Sequence, residues 1–386
     1  MLPEIKYLSV NWIDGMKVNK NHFIQLENAL NDQLRDSIGF NLTNYNYGLL
    51  PPAPGMINSL NLKLDFDQTR MIRLKLLECR AITHGGARIE IINTQQQALT
   101  LPVDHLTVEL NSNELIENEY DIIVTVNPFN HIPSGSPDPD ENPPRHPYTI
   151  PEYRVQIIPQ GQLNDTNQWA YHLLIGKMRV VGGEVKIFDD YIPPCSTIGS
   201  YSPLLDIYYD LGNTLSSIGS NTTKIVQKIR SKGQQDPLAK NVLYLTEKIV
   251  FFLAYEMTPF RLLNPELPPI YIIIPFIQLA HLTKTALYCL PINEKEEIAN
   301  YFSDWTERSP GAFENIMEDL IATEYNHMNI SNAIKQVRKF AEVISTLCEK
   351  LSELDYIGKS KPKSKPARGI LVNEESEDRK RKSWSF

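Results

Sequence analysis

Histidine is the residue type in this chain best suited to acid–base chemistry or metal binding, but its spacing supports neither. The 386-residue sequence contains no H-E-x-x-H and no histidine pair four residues apart, the spacing that places two imidazoles on one helix face for zinc. The eight histidines are scattered, at positions 22, 84, 105, 131, 146, 172, 281 and 327. The sequence therefore predicts no metal site and no bound cofactor.

Two short motifs resemble parts of enzyme signatures but lack the partners that those signatures need. His84-Gly85-Gly86 resembles an oxyanion loop, but no G-x-S-x-G nucleophile turn follows it, so a glycine turn between strands is favoured. Gly358-Lys359-Ser360 resembles the end of a Walker A loop, yet Glu353 stands where the first glycine is required. No catalytic residue is predicted, and the chain is expected not to be an enzyme. An undetected hydrolase stays an alternative that a cluster of shifted pKa values in a concave pocket would revive.

Charge is distributed unevenly along the chain, which limits the partners it can bind. The sequence has 38 Lys and Arg against 46 Asp and Glu, a net charge of −8. Residues 359–386 include nine basic and four acidic side chains, so the remainder carries a net charge of −13. An acidic body repels phosphate backbones. No nucleic-acid partner is predicted, and such a role could rest only on the basic segment.

Cysteine spacing and hydropathy indicate a reducing compartment and no membrane insertion. The four cysteines, at 79, 195, 289 and 348, lie far apart without a C-x-x-C, which is typical of reduced and mostly buried thiols. The first ten residues lack the apolar segment of a signal peptide. The most apolar stretch, Leu267 to Thr283, is interrupted by three prolines, so a buried helix is predicted there. We therefore expect a cytoplasmic protein.

The first half of the chain changes from one helix to many strands. Apolar residues at 23, 26, 30, 34 and 38 predict an amphipathic helix that ends near Gly39. The period then becomes two, which predicts short strands at 60–66, 72–76, 87–91, 106–110, 120–126, 153–157, 169–175, 178–181 and 185–188. This pattern favours an N-terminal antiparallel β-sandwich. Residues 128–151 contain eight prolines and are predicted as a long exposed loop.

After Pro193-Pro194 the strand pattern stops and helical signals begin. Helix starts with proline at the first helical position are predicted at Ser202-Pro203, Asp236-Pro237 and Ser309-Pro310. The last helix has apolar residues at alternating four- and three-residue steps, at Ile330, Ile334, Val337, Ala341, Ile344, Cys348 and Leu351. This spacing predicts a seam packed against other helices, either within the chain or across subunits. Low complexity and charge predict a disordered basic tail at 357–386.

Two segments without catalytic character stand out. The first runs from Val10 to Phe23 and places Trp12 and Met16 ahead of any core element. Such residues either staple the first helix to the sandwich or remain exposed as anchors, because aromatic residues and Met are enriched at interfaces. The second, Asp189 to Pro194, ends in paired prolines that fix an extended connector between strands and helices.

At these two places the sequence resembles the TssK family, the trimeric baseplate proteins of bacterial type VI secretion systems. The family's N-terminal motif reads approximately V-x-W-x-E-G-M-x-L-x-P-Q-H-F-x-Q-x-D/E. It is matched without gaps by Val10, Trp12, Asp14, Gly15, Met16, Val18, His22, Phe23, Gln25 and Glu27, with Lys20-Asn21 in place of Pro-Gln. The family's D-x-x-F-I-P-P signature is approximated by Phe188 to Pro194, with Tyr191 in place of Phe. The resemblance extends from about residue 7 to about residue 354.

The resemblance implies a multidomain β + α fold. It consists of a β-sandwich like the shoulder domain of phage receptor-binding proteins and then an α-helical bundle, with three chains in a homotrimer. We accordingly divide the chain into a docking segment with its helix (1–40), the sandwich (41–195), the bundle (196–356) and the tail (357–386). Familiar proteobacterial members continue as a receptor domain for the membrane complex. Here the basic tail follows instead, so docking to the envelope complex is expected to use the tail or another protein.

The resemblance also implies a structural role at the inner face of the cell envelope. The chain is expected to link baseplate wedge proteins of the TssF/TssG type to the envelope complex. The expected wedge contact is formed by Trp12, Gly15, Met16, His22 and Phe23. The expected trimer contact lies in the bundle, along Ile334, Val337, Ala341, Ile344 and Leu351. The alternative is a phage-like tail adaptor or receptor-binding module in which the loop at 128–151 binds a surface ligand.

Overall fold

The computed structural model describes residues 4–67, 70–92, 106–112, 115–116, 118–163, 168–182 and 184–358. The first part of these ranges forms one helix and nine strands. They are α1 (Lys20–Gly39), β1 (Gly48–Leu49), β2 (Leu60–Phe66), β3 (Met71–Ile82), β4 (Arg88–Ile91), β5 (Thr107–Asn111), β6 (Glu119–Ser134), β7 (Tyr148–Pro159), β8 (His172–Val181) and β9 (Glu184–Ile187). Eight of these strands fall on the alternating runs of the sequence, but β1 is not predicted, β3, β6 and β7 are longer than predicted, and β8 is continuous where two strands are predicted.

The strands form two antiparallel sheets that pack face to face. In the first sheet β3 is central and pairs with β1, β2, β4 and β5, and the second has the order β7-β6-β8-β9. Along β3, Leu74 and Leu76 are buried whereas Lys75 between them is exposed, the period of two that one buried face requires. Val124 and Leu173 of the second sheet join Leu74 and Leu76 in a common core. The predicted antiparallel β-sandwich is confirmed.

The proline-rich stretch 128–151 is not the long exposed loop that its composition predicts. β6 and β7 extend into it and pair from His131↔Pro151 to Ser134↔Tyr148, which leaves only 135–147 as the loop. The pairing of β8 with β6 stops at Thr125, and β7 is an edge strand. Each extension therefore has one free edge, where a proline without an N–H is accommodated.

The second part of the described chain is helical, which confirms the β + α order. The helices are α2 (Ser202–Ser231), α3 (Pro237–Leu262), α4 (Ile270–Tyr288), α5 (Ile292–Thr306), α6 (Pro310–Ile321) and α7 (Ile330–Glu353). All three predicted proline-containing starts are found, at α2, α3 and α6. In the described ranges, α4 alone is long and apolar enough to cross a membrane, and half of that stretch is buried within this chain. The predicted tail from 359 onward lies outside the described residues.

The connector Asp189 to Pro194 holds the sandwich against the bundle. Leu49 N in β1 donates a hydrogen bond to Pro194 O at 2.8 Å, and Ile192 N donates to Ser331 Oγ in α7 at 3.0 Å. Tyr191 is buried, and its hydroxyl donates to a backbone carbonyl just before α7 at 3.3 Å. The main hydrophobic core continues from the sheets into the helices. The domain boundaries at 41, 196 and 357 stay predictions.

Candidate docking surface

An arm at the N-terminus, residues 4–18, leads to α1 without regular secondary structure. It reverses direction at a turn in which Met16 N donates to Ile13 O at 3.2 Å. Gly15 has φ +81° in this turn, a conformation that glycine adopts without the steric cost of a Cβ atom. The turn directs the preceding residues back over the start of α1.

Helix α1 begins at Lys20 because Asn19 caps it. Asn19 Oδ1 accepts a hydrogen bond from Asn21 N at 2.9 Å, and Asn19 N donates to His22 Nδ1 at 3.2 Å. This reciprocal pair is a capping box, which satisfies backbone N–H groups that a helix start leaves without partners. His22 therefore has a local structural role, and its ring lies 6.1 Å from the ring of Trp12.

Trp12 and Phe23 form an exposed aromatic pair over the start of the helix. Their ring centroids are 6.4 Å apart, and 46% of Trp12 and 59% of Phe23 are exposed. Neither side chain enters the core of the sandwich. Both side chains are exposed, as the anchor alternative requires, and their role as partner anchors stays a prediction.

Helix α1 packs on the sandwich through polar side chains. Asp32 Oδ2 accepts hydrogen bonds from the backbone N–H groups of Lys6, at 2.7 Å, and Tyr7, at 2.9 Å. Its other carboxylate oxygen lies 2.7 Å from the guanidinium of Arg35, which also donates to Tyr171 Oη at 2.7 Å. Burial lowers the pKa of Arg35, but its contacts with neighbouring carboxylates and the phenol outweigh burial and raise it. This network ties arm, helix and sandwich together.

The outer face of α1 is apolar. Phe23, Leu30, Leu34 and Ile38, which we call the α1 stripe, are all exposed, with 61% of Leu34 accessible. A helix on a protein surface normally buries its apolar face and exposes its polar one. Here the arrangement is reversed, because the buried ionic network fixes the polar face inward. Contiguous exposed apolar patches of this kind mark sites of protein association.

A cavity of about 280 Å³ lies along the α1 stripe. Leu34 and Ile38 form one wall, and Phe129 of β6 with Ile150 and Pro151 of β7 forms another. Glu27, Arg35, Arg88 and His131 also line the cavity, so the surface from the helix to the β6–β7 extension is mixed, with apolar walls and charged groups beside them. We call Trp12, the α1 stripe and this cavity together the N-terminal docking surface.

Similarity to known proteins is found in the structure and not in the overall sequence. No family model matches the chain, and a search of curated proteins gives no significant match. A crystal structure of TssK matches with a TM-score of 0.53 and 15% sequence identity, over 88% of this chain and 72% of that chain. This chain has the TssK fold. The matched 88% of this chain includes both the sandwich and the bundle. The predicted order, a β-sandwich followed by a helical bundle, is therefore confirmed.

Two structures of baseplate assemblies also match. One is a chain of the baseplate complex from the type VI secretion system, with a TM-score of 0.52 and 14% identity, over 89% of this chain and 99% of that chain. The other is a chain of the TssK-TssF-TssG baseplate subcomplex revealed by cryo-electron microscopy, with a TM-score of 0.47 and 14% identity, over 89% of this chain and all of that chain.

The TssK fold brings the predicted N-terminal site residues together. Trp12, His22 and Phe23 form one cluster of rings, Gly15 shapes the turn beside it, and Met16 is half-buried at the end of that turn. Gly15 and His22 therefore have structural roles, in the turn and in the helix cap. A role of the five residues in binding a partner stays a prediction.

The seam of the last helix lies inside the chain. Its side chains are at most 3% exposed, namely those of Ile334, Val337, Ala341, Ile344 and Leu351. They are covered because α7 packs against α2, α4, α5 and α6 of the same chain. Of the two alternatives for the seam, contact within the chain is the one observed. Because these side chains are covered within one chain, their burial does not support the expected trimer contact; among the five, Ala341 also lines a surface cavity between α2 and α7.

A cavity at the junction of sandwich and bundle is lined by a histidine whose pKa is shifted. Burial lowers the pKa of His327 to about 4. Its Nε2–H donates to Tyr47 O at 2.8 Å, and its Nδ1 accepts from Tyr325 Oη at 2.7 Å. The lining of this cavity, about 350 Å³, has no Ser, Thr or Cys. No group of three or more His, Cys, Asp or Glu side chains that could hold a metal ion occurs among the described residues.

Periodicity in the sequence locates α1 but not the direction of its apolar face. A signal is present, because Asp32 and Arg35 are oppositely charged and lie three residues apart, a spacing that allows an ion pair on one side of the helix. A second exposed face was missed on α3, where Phe251 and Tyr255 are accessible although the helix is apolar on its buried side as well. The sequence of α3 indicates this face, because its apolar residues lie all around the helix and such a helix must be covered on two sides.

Proposed function

We propose that this chain is a structural, non-enzymatic component of a type VI secretion baseplate, a trimeric adaptor between wedge proteins and the envelope complex. The TssK fold and the N-terminal motif support this proposal. The observation that carries it is the orientation of α1, whose polar side faces the sandwich and whose apolar stripe faces outward. A face held in this way is suited to binding a protein.

Wedge proteins of the TssF/TssG type are the proposed partners of the N-terminal docking surface. Trp12 and Phe23 would be its central anchors, since large aromatic side chains commonly dominate the energy of an interface. The Asp32 and Arg35 network already fixes α1 in place before a partner arrives. Less ordering entropy is then lost on binding, which favours affinity.

A homotrimer would present three docking surfaces on one particle. Once one wedge contact forms, the next is effectively intramolecular, so avidity rises without any new chemistry. Such an adaptor acts through contact area and needs neither a cofactor nor nucleic acid. Its proposed location is the cytoplasm, at the inner face of the envelope, without insertion into the membrane.

The basic segment 359–386 is the proposed link to the envelope complex. Its net charge is opposite to that of the rest of the chain. Each cationic residue near an anionic surface contributes about 1 kcal/mol, and salt screens the attraction. Deleting 359–386 should leave trimer and wedge binding unchanged but reduce recruitment of the baseplate to the envelope, as raised salt should in vitro. Normal recruitment by the truncated protein would exclude the segment as the link.

Affinity purification of the native assembly tests the proposal as a whole. Wild-type protein should retain wedge subunits, and Leu30→Gln/Leu34→Gln should lose them with an unchanged unfolding curve, because both residues are already exposed. Ile57→Gln, at an exposed apolar residue elsewhere on the sandwich, is the matched control and should retain the wedge. Absence of wedge subunits from the wild-type sample, with binding of a surface glycan instead, would favour the phage-like receptor-binding alternative.

A further inference from the structure

Helix α3 is apolar on two opposite sides. Its inner side chains, including Ile249 and Leu253, are buried in the bundle. On the outer side Tyr244, Phe251, Tyr255 and Leu262 follow one another at seven- and four-residue steps, so they share one face of the helix. We call them the α3 ridge. All are exposed, with 73% of Phe251 and 81% of Tyr255 accessible.

A groove of about 430 Å³ lies between α2 and α7. Its lining combines small side chains, among them Thr214 on α2 and Ala341 and Ser345 on α7, with the longer Leu211, Arg338 and Glu342. The small side chains leave an open depression between the two helices that side chains from outside can enter. We call it the α2–α7 groove.

The α3 ridge and the α2–α7 groove belong to different flanks of the bundle. Helix α2 packs against α3 and also against α7, so it separates the two. A ridge and a groove placed in this way cannot meet within one chain but can meet between copies. Contact between two different surfaces of identical subunits is heterologous, and when the rotation closes it forms a ring.

Charge favours the same pairing. Lys240 and Lys248 lie on α3 beside the ridge, and Lys248 Nζ is 5.4 Å from the centre of the Tyr244 ring. Asp210 and Glu342 line the groove together with one cation, Arg338. Among the described residues, none of these five charged side chains has an ion-pair partner within the chain. Glu247 also lies beside the ridge but pairs with Arg230 at 2.6 Å, so the ridge side is positive and the groove has a net negative charge.

We infer that the α3 ridge of one copy inserts into the α2–α7 groove of the next copy. Three such contacts close the ring, and Phe251 and Tyr255 are the side chains that fill the groove. The contact deepens the proposed function, because it rests on the homotrimer and assigns both of its surfaces. It replaces the α7 seam, which the chain's own helices cover.

Disulfide trapping tests the contact directly. In a Cys289→Ser background, which removes the exposed native thiol, Tyr255→Cys/Thr214→Cys places one thiol on each surface. Mild oxidation should give covalent dimers and trimers on a denaturing gel, whereas each single cysteine variant should stay monomeric. Bands from Tyr255→Cys alone would show that α3 meets α3, and absence of bands from the double variant would also overturn the inference.

A charge reversal gives a second measurement that needs no oxidation. Lys248→Glu should weaken trimer formation about tenfold, and adding Asp210→Lys/Glu342→Lys to it should restore most of the loss. Lys186→Glu on β9 is the control with the same change in net charge and should have no effect. No rescue by the reversed groove would contradict the inference. Light scattering on the wild type tests the homotrimer separately from the contact between ridge and groove. A monomeric wild type would contradict the proposed trimer itself.

Discussion

The carboxylate of Asp32 and the guanidinium of Arg35 form a 2.7 Å ion pair on the inner face of α1, with side chains 0% and 4% exposed. Two ions withdrawn from water lose hydration energy, which is recovered only when every partner is in place. Here the backbone N–H groups of Lys6 and Tyr7 donate to the carboxylate, and the guanidinium donates to the hydroxyl of Tyr171 and to Asp36. The pair thus decides which side of α1 faces the solvent.

Replacing Arg35 by Met should destabilise the protein strongly. It leaves the Asp32 carboxylate buried without its cation, and breaking one side of a buried pair costs about 3 to 5 kcal/mol. Urea unfolding measures this loss. Lys63→Met is the control, because the pair of Lys63 with Asp65 is exposed and should contribute less than about 1 kcal/mol. Equal effects of the two substitutions would show that the inner network does not orient α1.

The sequence of α1 predicts the helix but not the face that it buries. The period of Leu30, Leu34 and Ile38 is sufficient to predict the helix, because a helical pattern is local. The face it buries depends on Asp32 reaching the backbone of the arm some 25 residues away, a tertiary contact that periodicity does not encode. Strands were predicted well for the same reason, since a period of two and the turns that bound it are also local.

The α7 seam shows the same limit in another form. Its a/d spacing is enough to predict that Val337 and Ile344 pack against helices. Whether those helices belong to the same chain depends on how α2, α4, α5 and α6 assemble around α7, which no single-helix pattern records. The structure assigns the seam to the chain's own core.

Loss of Trp12 and Met16 should weaken wedge binding and leave the fold intact. Among the described residues, the ring contacts of Trp12 are with His22 and Phe23, and Trp12 lies outside the main core. Truncating an interface anchor commonly costs about 2 kcal/mol or more. Trp12→Ala/Met16→Ala should therefore raise the dissociation constant for wedge subunits, measured by calorimetry, with little change in melting temperature. Phe66→Ala, at an exposed aromatic on β2, is the control. If the double variant unfolds, the segment is a staple after all.

Truncation of the seam should lower the stability of each chain without a specific effect on association. Ile344 is 1% exposed, and Ile→Ala in a core costs about 2 to 5 kcal/mol. Denaturant unfolding of Ile344→Ala should show this loss, while light scattering on the folded protein should give the wild-type mass. A well-folded variant that dissociates would place the seam between subunits.

Gly48 should tolerate no side chain. It has φ +109°, and a Cβ atom there would lie 2.1 Å from Pro194 O, part of the connector to the bundle. Gly48→Ala should therefore abolish soluble expression or lower the melting temperature sharply. Gly233→Ala is a matched control, because its φ is also positive, +58°, but its Cβ would meet open space. Gly233→Ala should cost only about 1 to 2 kcal/mol, the strain of placing a residue with a Cβ atom in the left-handed region. A mild effect at Gly48 would mean that the connector can move away from β1.

Acid should destabilise the junction between sandwich and bundle through His327. Its pKa in the folded protein is about 4, below the usual value near 6.5, because burial disfavours the imidazolium. As pH falls, the unfolded chain therefore takes up this proton first. The contribution of His327 to stability is complete above pH 6.5 and is lost progressively between 6.5 and 4, by roughly 3 kcal/mol in total.

Comparing unfolding free energies at pH 7 and pH 4.5 isolates this contribution. His327→Gln removes the titrating group, although an amide can still donate to Tyr47 O and accept from the Tyr325 hydroxyl. Wild-type protein should lose roughly 2 to 3 kcal/mol more than this variant over the interval, because all other titrating groups are common to both. His281→Gln changes an exposed histidine and should keep the wild-type pH dependence. If His327→Gln also keeps the wild-type pH dependence of the unfolding free energy, the imidazole of His327 already binds a proton in the folded protein near neutral pH. The hydrogen bonds assigned to its neutral form would then be wrong.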